Sequence, residues 1–229
     1  MRATTIFLVL LSAAFCLKAS PAFAVTVPFE ESFSVDASNW KNTTSTNPSY
    51  VATGGSDGGG YIQTAFAFTS SPSTTPVLFR GHDFFDASGD AFVGNWIMQG
   101  VTKLRAKVRH NAPQPLTFFA RLASPVSFPG AVAIDFGPVP ADTWTEIEFD
   151  TVAGSPQFVS LEGSDFAAVF SDVGNVQIGV STPEGLAGDA TLYTYELDQV
   201  SIVPEPASWL LAVGLTGCSW LWRRNRKAS

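Results

Sequence analysis

The stretch Gly54-Gly55-Ser56-Asp57-Gly58 satisfies the Gly-x-Ser-x-Gly pattern that presents a nucleophilic serine in many hydrolases. That pattern performs chemistry when it forms a tight turn between a buried strand and a helix. Here Ser56 is followed by three glycines and the strand-like run Tyr61 to Phe68, so it reads as a flexible glycine loop. A serine nucleophile also needs a base, and the only histidines are His82 and His110. Neither has a second histidine or cysteine at the short spacing of a zinc site. Glu146 and Glu148 stand at i and i+2, on one face of a strand and about 7 Å apart, within the range of paired carboxylates that hydrolyse glycosides. Nothing in the sequence separates their proton affinities, so the plainer reading is a solvated strand face.

Two further groups of residues could bind rather than react. Oxygen ligands for a structural calcium are offered by Glu30 and Glu31 near the first strand and by Asp198 on the last, two strands that often lie side by side in sandwiches. Lys103, Arg105, Lys107 and Arg109 form a basic stripe, suited either to an anionic polysaccharide or to pairing with Glu146 and Glu148 across strands. The aromatics Trp40, Tyr50, Tyr61, Trp96, Trp144, Tyr193 and Tyr195 could stack on sugar rings, while most phenylalanines are expected in the core.

The elements that must hold these residues are strands. Leu104, Ala106 and Val108 alternate with the basic stripe; Leu116, Phe118, Ala120 and Leu122 share one face of the next segment. Thr145, Ile147 and Phe149 alternate with Trp144, Glu146, Glu148 and Asp150, and residues 191–202 repeat the period. Pro- and Gly-rich turns separate these runs, at 71–76, 112–115, 137–142 and 182–190. Phe166, Val169 and Phe170 fall at helical spacing and predict one or two helical turns. Without a longer repeat, this pattern implies one all-β domain over residues 25–203, an antiparallel β-sandwich of jelly-roll type.

Charge narrows the partners. Residues 25–203 carry seven Lys and Arg against nineteen Asp and Glu, a net charge of −12, which argues against nucleic acid. Both cysteines, Cys16 and Cys218, lie in the terminal segments, so the body must be held by its own core.

The ends carry addresses. Arg2, an apolar run from Ile6 to Leu17, and Ala22 and Ala24 in small-x-small spacing form a secretory signal, with signal peptidase expected to cut after Ala24. At the other end, Pro204-Glu205-Pro206 precedes sixteen uncharged residues, Ala207 to Trp222. As a helix they span about 24 Å, slightly short of a ~30 Å hydrocarbon core. Trp209, Trp220 and Trp222 suit the membrane interfaces, and Arg223, Arg224, Arg226 and Lys227 mark the cytoplasmic side. The prolines bracketing Glu205 hold that segment extended.

Motif, short apolar helix and basic terminus, in that order, resemble the PEP-CTERM sorting signal of Gram-negative bacteria. The resemblance covers residues 203–227 and implies recognition of Pro204, Glu205 and Pro206 by exosortase, transient anchoring in the inner membrane, and delivery to the cell surface or a biofilm matrix. More loosely, residues 29–40, 54–62, 144–150 and 196–202 are similar to jelly-roll carbohydrate-binding domains, whose last strand often carries paired acids where this chain has Asp198 and Gln199. The resulting expectation is an exported, non-catalytic surface or matrix protein that binds exopolysaccharide, needs no cofactor beyond a structural calcium, and meets the membrane through its C-terminal helix. A polysaccharide hydrolase or lyase using Glu146 and Glu148, and a purely structural matrix component, are the alternatives.

Overall fold

Half-buried alternation needs a second layer to cover its apolar face, and the chain supplies one by folding into two antiparallel sheets. The structure is a computed structural model and describes residues 25–204. Its strands are β1 (Phe29–Glu31), β2 (Lys41–Asn42), β3 (Ser49–Val51), β4 (Tyr61–Phe66), β5 (Val77–His82), β6 (Val101–His110), β7 (Phe118–Ala123), β8 (Gly130–Ile134), β9 (Thr145–Asp150), β10 (Phe158–Ser160), β11 (Asn175–Val180) and β12 (Tyr193–Pro204). The first sheet runs β3-β4-β12-β6-β9 with β1 also paired to β12, and the second runs β10-β8-β7-β11-β5-β2. The all-β sandwich expected from the sequence is therefore present.

Register confirms the assigned faces. Leu104, Ala106 and Val108 of β6 are buried opposite Phe149, Ile147 and Thr145 of β9. On the outer face of the same pairing, Lys103 opposes Asp150, Arg105 opposes Glu148 and Lys107 opposes Glu146. The expected helix is α1 (Phe166–Phe170), started by the Asp165 carboxylate accepting the Ala168 N–H at 2.8 Å. Strand β11 had no legible period because all six of its residues are buried; even Gln177, on the outer face between Arg80 and Arg121, is only 6% exposed.

Strand β12 organises the first sheet. On one edge it pairs with β6; on the other it pairs first with β4, through Leu197, and then with β1, from Val200. Asp198 and Gln199 fall in the gap, where the register shifts and Gln199 takes a left-handed φ of 46°. The glycine loop fills that gap: Ser56 donates its backbone N–H to Asp198 Oδ2 at 2.8 Å, and its hydroxyl lies 2.9 Å from both Asp198 Oδ2 and Gln199 Oε1. The loop expected to be flexible is thus pinned. Its glycines are required by this closeness, since a Cβ on Gly55 would stand 2.7 Å from Asp198 Oδ2 and one on Gly60 only 2.3 Å from the Phe33 carbonyl.

Asp198→Ala leaves the Ser56 N–H without its acceptor and is expected to cost about 2 kcal/mol in urea denaturation. Limited proteolysis is the sharper measurement, because cleavage should appear first within residues 54–60.

Candidate functional site

The residues nominated by sequence for chemistry are mostly spoken for. Glu148 is ion-paired to Lys103 and Arg105, and Lys107 Nζ lies 2.9 Å from Glu146 Oε2. Arg109 pairs with Glu196. Burial alone would push the Glu148 carboxyl up, but hydrogen bonds from Lys103 and Arg105 outweigh it and hold the group below its ordinary value. That is the wrong direction for a general acid. The basic stripe, counted as a grip for an anionic polymer, is consumed by its own neighbours.

Ser56 has Asp198 and Gln199 as partners rather than a histidine. Asp198 is fully buried and also accepts the Gln199 N–H at 2.8 Å; burial raises its pKa despite the bonds from Ser56 and Gln199. The first and last strands are neighbours as expected, with Glu30 opposite Ser201. However, Glu30 is exposed, Glu31 accepts the Phe33 N–H at 2.9 Å, and the atoms bonded to Asp198 are N–H and O–H donors. Among the described residues no three His, Cys, Asp or Glu side chains converge as a metal site. This donor set suits a carboxylate better than a cation.

His110 is equally committed. It is 1% exposed, its Nε2 donates to the Val139 carbonyl at 3.0 Å, and its Nδ1 accepts the Ala112 N–H at 3.2 Å. It borders a polar hollow of about 370 Å³ with Gln63, Arg109, Asn111, Thr194 and Glu196. There the Arg109–Glu196 pair and the bond from Thr194 N–H to Asn111 Oδ1 at 2.8 Å satisfy the strongest groups internally.

The sorting residues divide at the edge of the described region. Pro204 is the last described residue of β12, buried and opposite Val101. Ala22, Ala24, Glu205, Pro206, Arg223, Arg224, Arg226 and Lys227 lie outside the described residues. Among the described residues no helix is long and apolar enough to cross a membrane.

The aromatics also sort differently from expectation. Trp40, Trp96 and Tyr195 are fully buried and Tyr61 is 7% exposed, whereas Phe84 is 83% exposed. Trp144 is half-buried, with its ring covered by the Arg109 guanidinium at 4.8 Å and by the Tyr61 edge.

Phe84 belongs to a cleft of about 630 Å³ at the end of β5. Its apolar walls are Phe84, Phe85, Val93, Pro125 and Val126, and its polar groups are His82, Asp83, Asp90 and Ser127. Size and lining match a ligand pocket, in which a few polar groups orient what apolar walls hold. Asp90 is raised by burial and then by the charges of Asp86 and Asp83, and its Oδ1 has no partner.

Three segments deliver the polar groups. His82 ends β5, and its Nδ1 lies 2.5 Å from Asp83 Oδ1. The Phe84 N–H lies 2.7 Å from the same Asp83 oxygen and 3.0 Å from His82 Nδ1; the charged carboxylate is the nearer acceptor. His82 Nε2 faces Ser127 Oγ, 3.4 Å away. Ser127 sits in a turn closed by its N–H to the Ser124 carbonyl at 2.8 Å. Its own carbonyl accepts from Arg121 Nη2 at 2.7 Å, and Glu162 clamps Arg121 through two further bonds. Asn175 of β11, opposite His82 in register and 1% exposed, donates from Nδ2 to Ser127 Oγ at 3.4 Å, while its Oδ1 lacks a partner. Sequence reading missed this group because His82 and Ser127 are forty-five residues apart and no motif joins them. The adjacent pair His82-Asp83, followed by Phe84 and Phe85, is the local signal.

No family model matches the chain, and no curated protein matches it. Among solved structures, the chain is similar to the N-terminal CBM22-1–GH10 modules of endo-1,4-β-D-xylanase 10B from Clostridium thermocellum, complexed with xylohexaose: 19% identity, TM-score 0.46, covering 77% of this chain and 28% of that one. An exo-β-agarase gives 9% identity, TM-score 0.45, 76% of this chain and 24% of the other. The C-terminal family 22 carbohydrate-binding module of the Clostridium thermocellum xylanase gives 11%, TM-score 0.43, 76% and 92%. The chain thus spans less than a third of the first two proteins, and none of the three assigns a role to its residues.

The state of His110 sets a pH dependence. Burial lowers its pKa, against the opposing effects of the Val139 carbonyl and Asp142, so the fold holds it neutral. The unfolded chain takes up this proton near about pH 6.5. Its contribution is therefore complete above that pH and is lost as the pH falls toward the lower folded value. Melting temperature should decline on acidification through this range, and His110→Gln should flatten the decline; equal slopes in both proteins would assign it elsewhere.

Proposed function

We propose that this chain is an exported polysaccharide-binding protein whose jelly-roll-like sandwich holds a glycan in the cleft at Phe84, without cutting its backbone. The observation that carries this reading is the cleft itself. A phenylalanine ring almost wholly exposed beside Phe85, above a floor of His82, Asp83 and Asp90, offers one apolar face and several planar hydrogen-bonding groups. Pyranose rings need that combination, with C–H faces to stack and hydroxyls to bond.

The remaining surface favours a neutral glycan over an anionic one. Lys103, Arg105, Lys107, Arg109 and Arg121 are all in ion pairs, leaving Lys41 and Arg80 outside such pairs in residues 25–204. Pairing of Glu146 and Glu148 with those cations supports binding over glycosidic cleavage.

Export and sorting complete the proposal. The signal segment ending at Ala24 would deliver the sandwich across the inner membrane, and Pro204-Glu205-Pro206 with its apolar and basic tail would pass it to exosortase. Pro204, the first residue of the motif, lies within β12 opposite Val101, so the motif begins inside the sandwich.

Affinity electrophoresis of the 25–204 fragment through gels containing the producing cell's exopolysaccharide tests the binding. Retardation is expected, and Phe84→Ala should weaken it about tenfold with an unchanged melting temperature, since the ring is 83% exposed. Equal mobility with and without polysaccharide would remove the reading.

A further inference from the structure

We propose that Ser127, His82 and Asp83 form an acyl-transfer centre in the Phe84 cleft, hydrolysing O-acyl esters carried by the glycan bound there. The substrate class rests on the glycan-binding reading; the centre itself rests on geometry. Asp83 Oδ1 is 2.5 Å from His82 Nδ1, His82 Nε2 is 3.4 Å from Ser127 Oγ, and all three residues line the same cleft. A carboxylate on one ring nitrogen and a hydroxyl on the other is the arrangement that turns serine into a nucleophile, recognised by roles and not by order in the chain. The serine contact is longer than a working hydrogen bond, as it commonly is before substrate closes on the site.

The reaction uses the tautomer with the His82 proton on Nδ1, facing Asp83 Oδ1; the Phe84 N–H, which also reaches Nδ1 at 3.0 Å, then bonds only to the nearer Asp83 oxygen at 2.7 Å. In that tautomer Ser127 Oγ–H donates to His82 Nε2, and Asn175 Nδ2–H donates to Ser127 Oγ. Asn175 is thus a positioning residue that holds the serine oxygen through its Nδ2–H. Arg121, clamped by Glu162, fixes the Ser127 carbonyl and with it the turn that aims the hydroxyl.

The reaction balances with water as the only co-reactant. Ser127 Oγ attacks the ester carbonyl carbon while its proton passes to His82 Nε2, and Asp83 stabilises the imidazolium. Collapse breaks the bond between the acyl carbon and the sugar oxygen, which takes the proton from His82. Water then attacks the acylated Ser127, gives a proton to His82, and releases the carboxylic acid; the proton returns to Ser127. The glycan keeps its backbone and loses an acyl group, with a free hydroxyl in its place.

The wild-type 25–204 fragment is treated with an alkyl fluorophosphonate and mapped by mass spectrometry. Adduct on Ser127 is expected, and no adduct there overturns the proposal without any variant having to fold. p-Nitrophenyl acetate hydrolysis is then followed in Ser127→Ala and Asp83→Asn, each with its melting temperature measured. Ser127→Ala should lose about a hundredfold or more in kcat, and Asp83→Asn about tenfold or more with KM little changed. Rates equal to wild type in folded variants would overturn it. Retardation by polysaccharide without labelling leaves the binding reading standing and removes the centre. Labelling and hydrolysis without retardation keep the centre and remove the glycan as its substrate.

Discussion

Strand β12 is hydrogen-bonded along both edges, and every other strand of its sheet reaches the fold through it: β3 by way of β4, β9 by way of β6, and β1 directly. Its inward residues Tyr195, Leu197, Val200 and Ile202 are fully buried between the sheets. A strand so placed cannot be left with unpaired backbone, yet its outer edge is shared by two short partners that do not meet. The gap at Asp198 and Gln199 is closed by a loop from the other end of the chain. A buried carboxylate there acts as an anchor for Ser56, and the glycines around it are small because nothing larger fits.

The same logic of local satisfaction explains why the outer face of the first sheet is chemically quiet. Acids on β9 stand against bases on β6, and Glu196 of β12 takes Arg109. Such partly exposed pairs add little stability individually, but they leave the strand faces without free charge. The cationic stripe that looks like a binding site when β6 is read alone is one half of a neutralised lattice.

The second sheet is arranged differently. Lys41, Arg80, Gln177 and Arg121 follow one another across β2, β5, β11 and β7. Beyond them the sheet ends in a turn that places His82, Asn175 and Ser127 together. Binding and catalytic groups collect at such ends because a rigid sheet can aim residues from separate loops into one cleft. Among the described residues, buried atoms without a partner include Asp90 Oδ1 and Asn175 Oδ1 here, and Arg80 Nε, Gln114 Nε2 and Tyr195 Oη elsewhere.

By itself, the sequence determined the class of fold, the faces of β6, β9 and β12, the helix at Phe166–Phe170, and the acidic balance of the body, because alternation and capping are local properties that a few residues express. Only the tertiary structure decided which residues remain free to act. It buried Trp40, Trp96 and Tyr195, exposed Phe84, tied Ser56 to Asp198 in place of a histidine, and brought Ser127 to His82 across forty-five residues. Availability for function is what remains after every polar and aromatic group has taken its partner, and those partners come from strands distant in the chain.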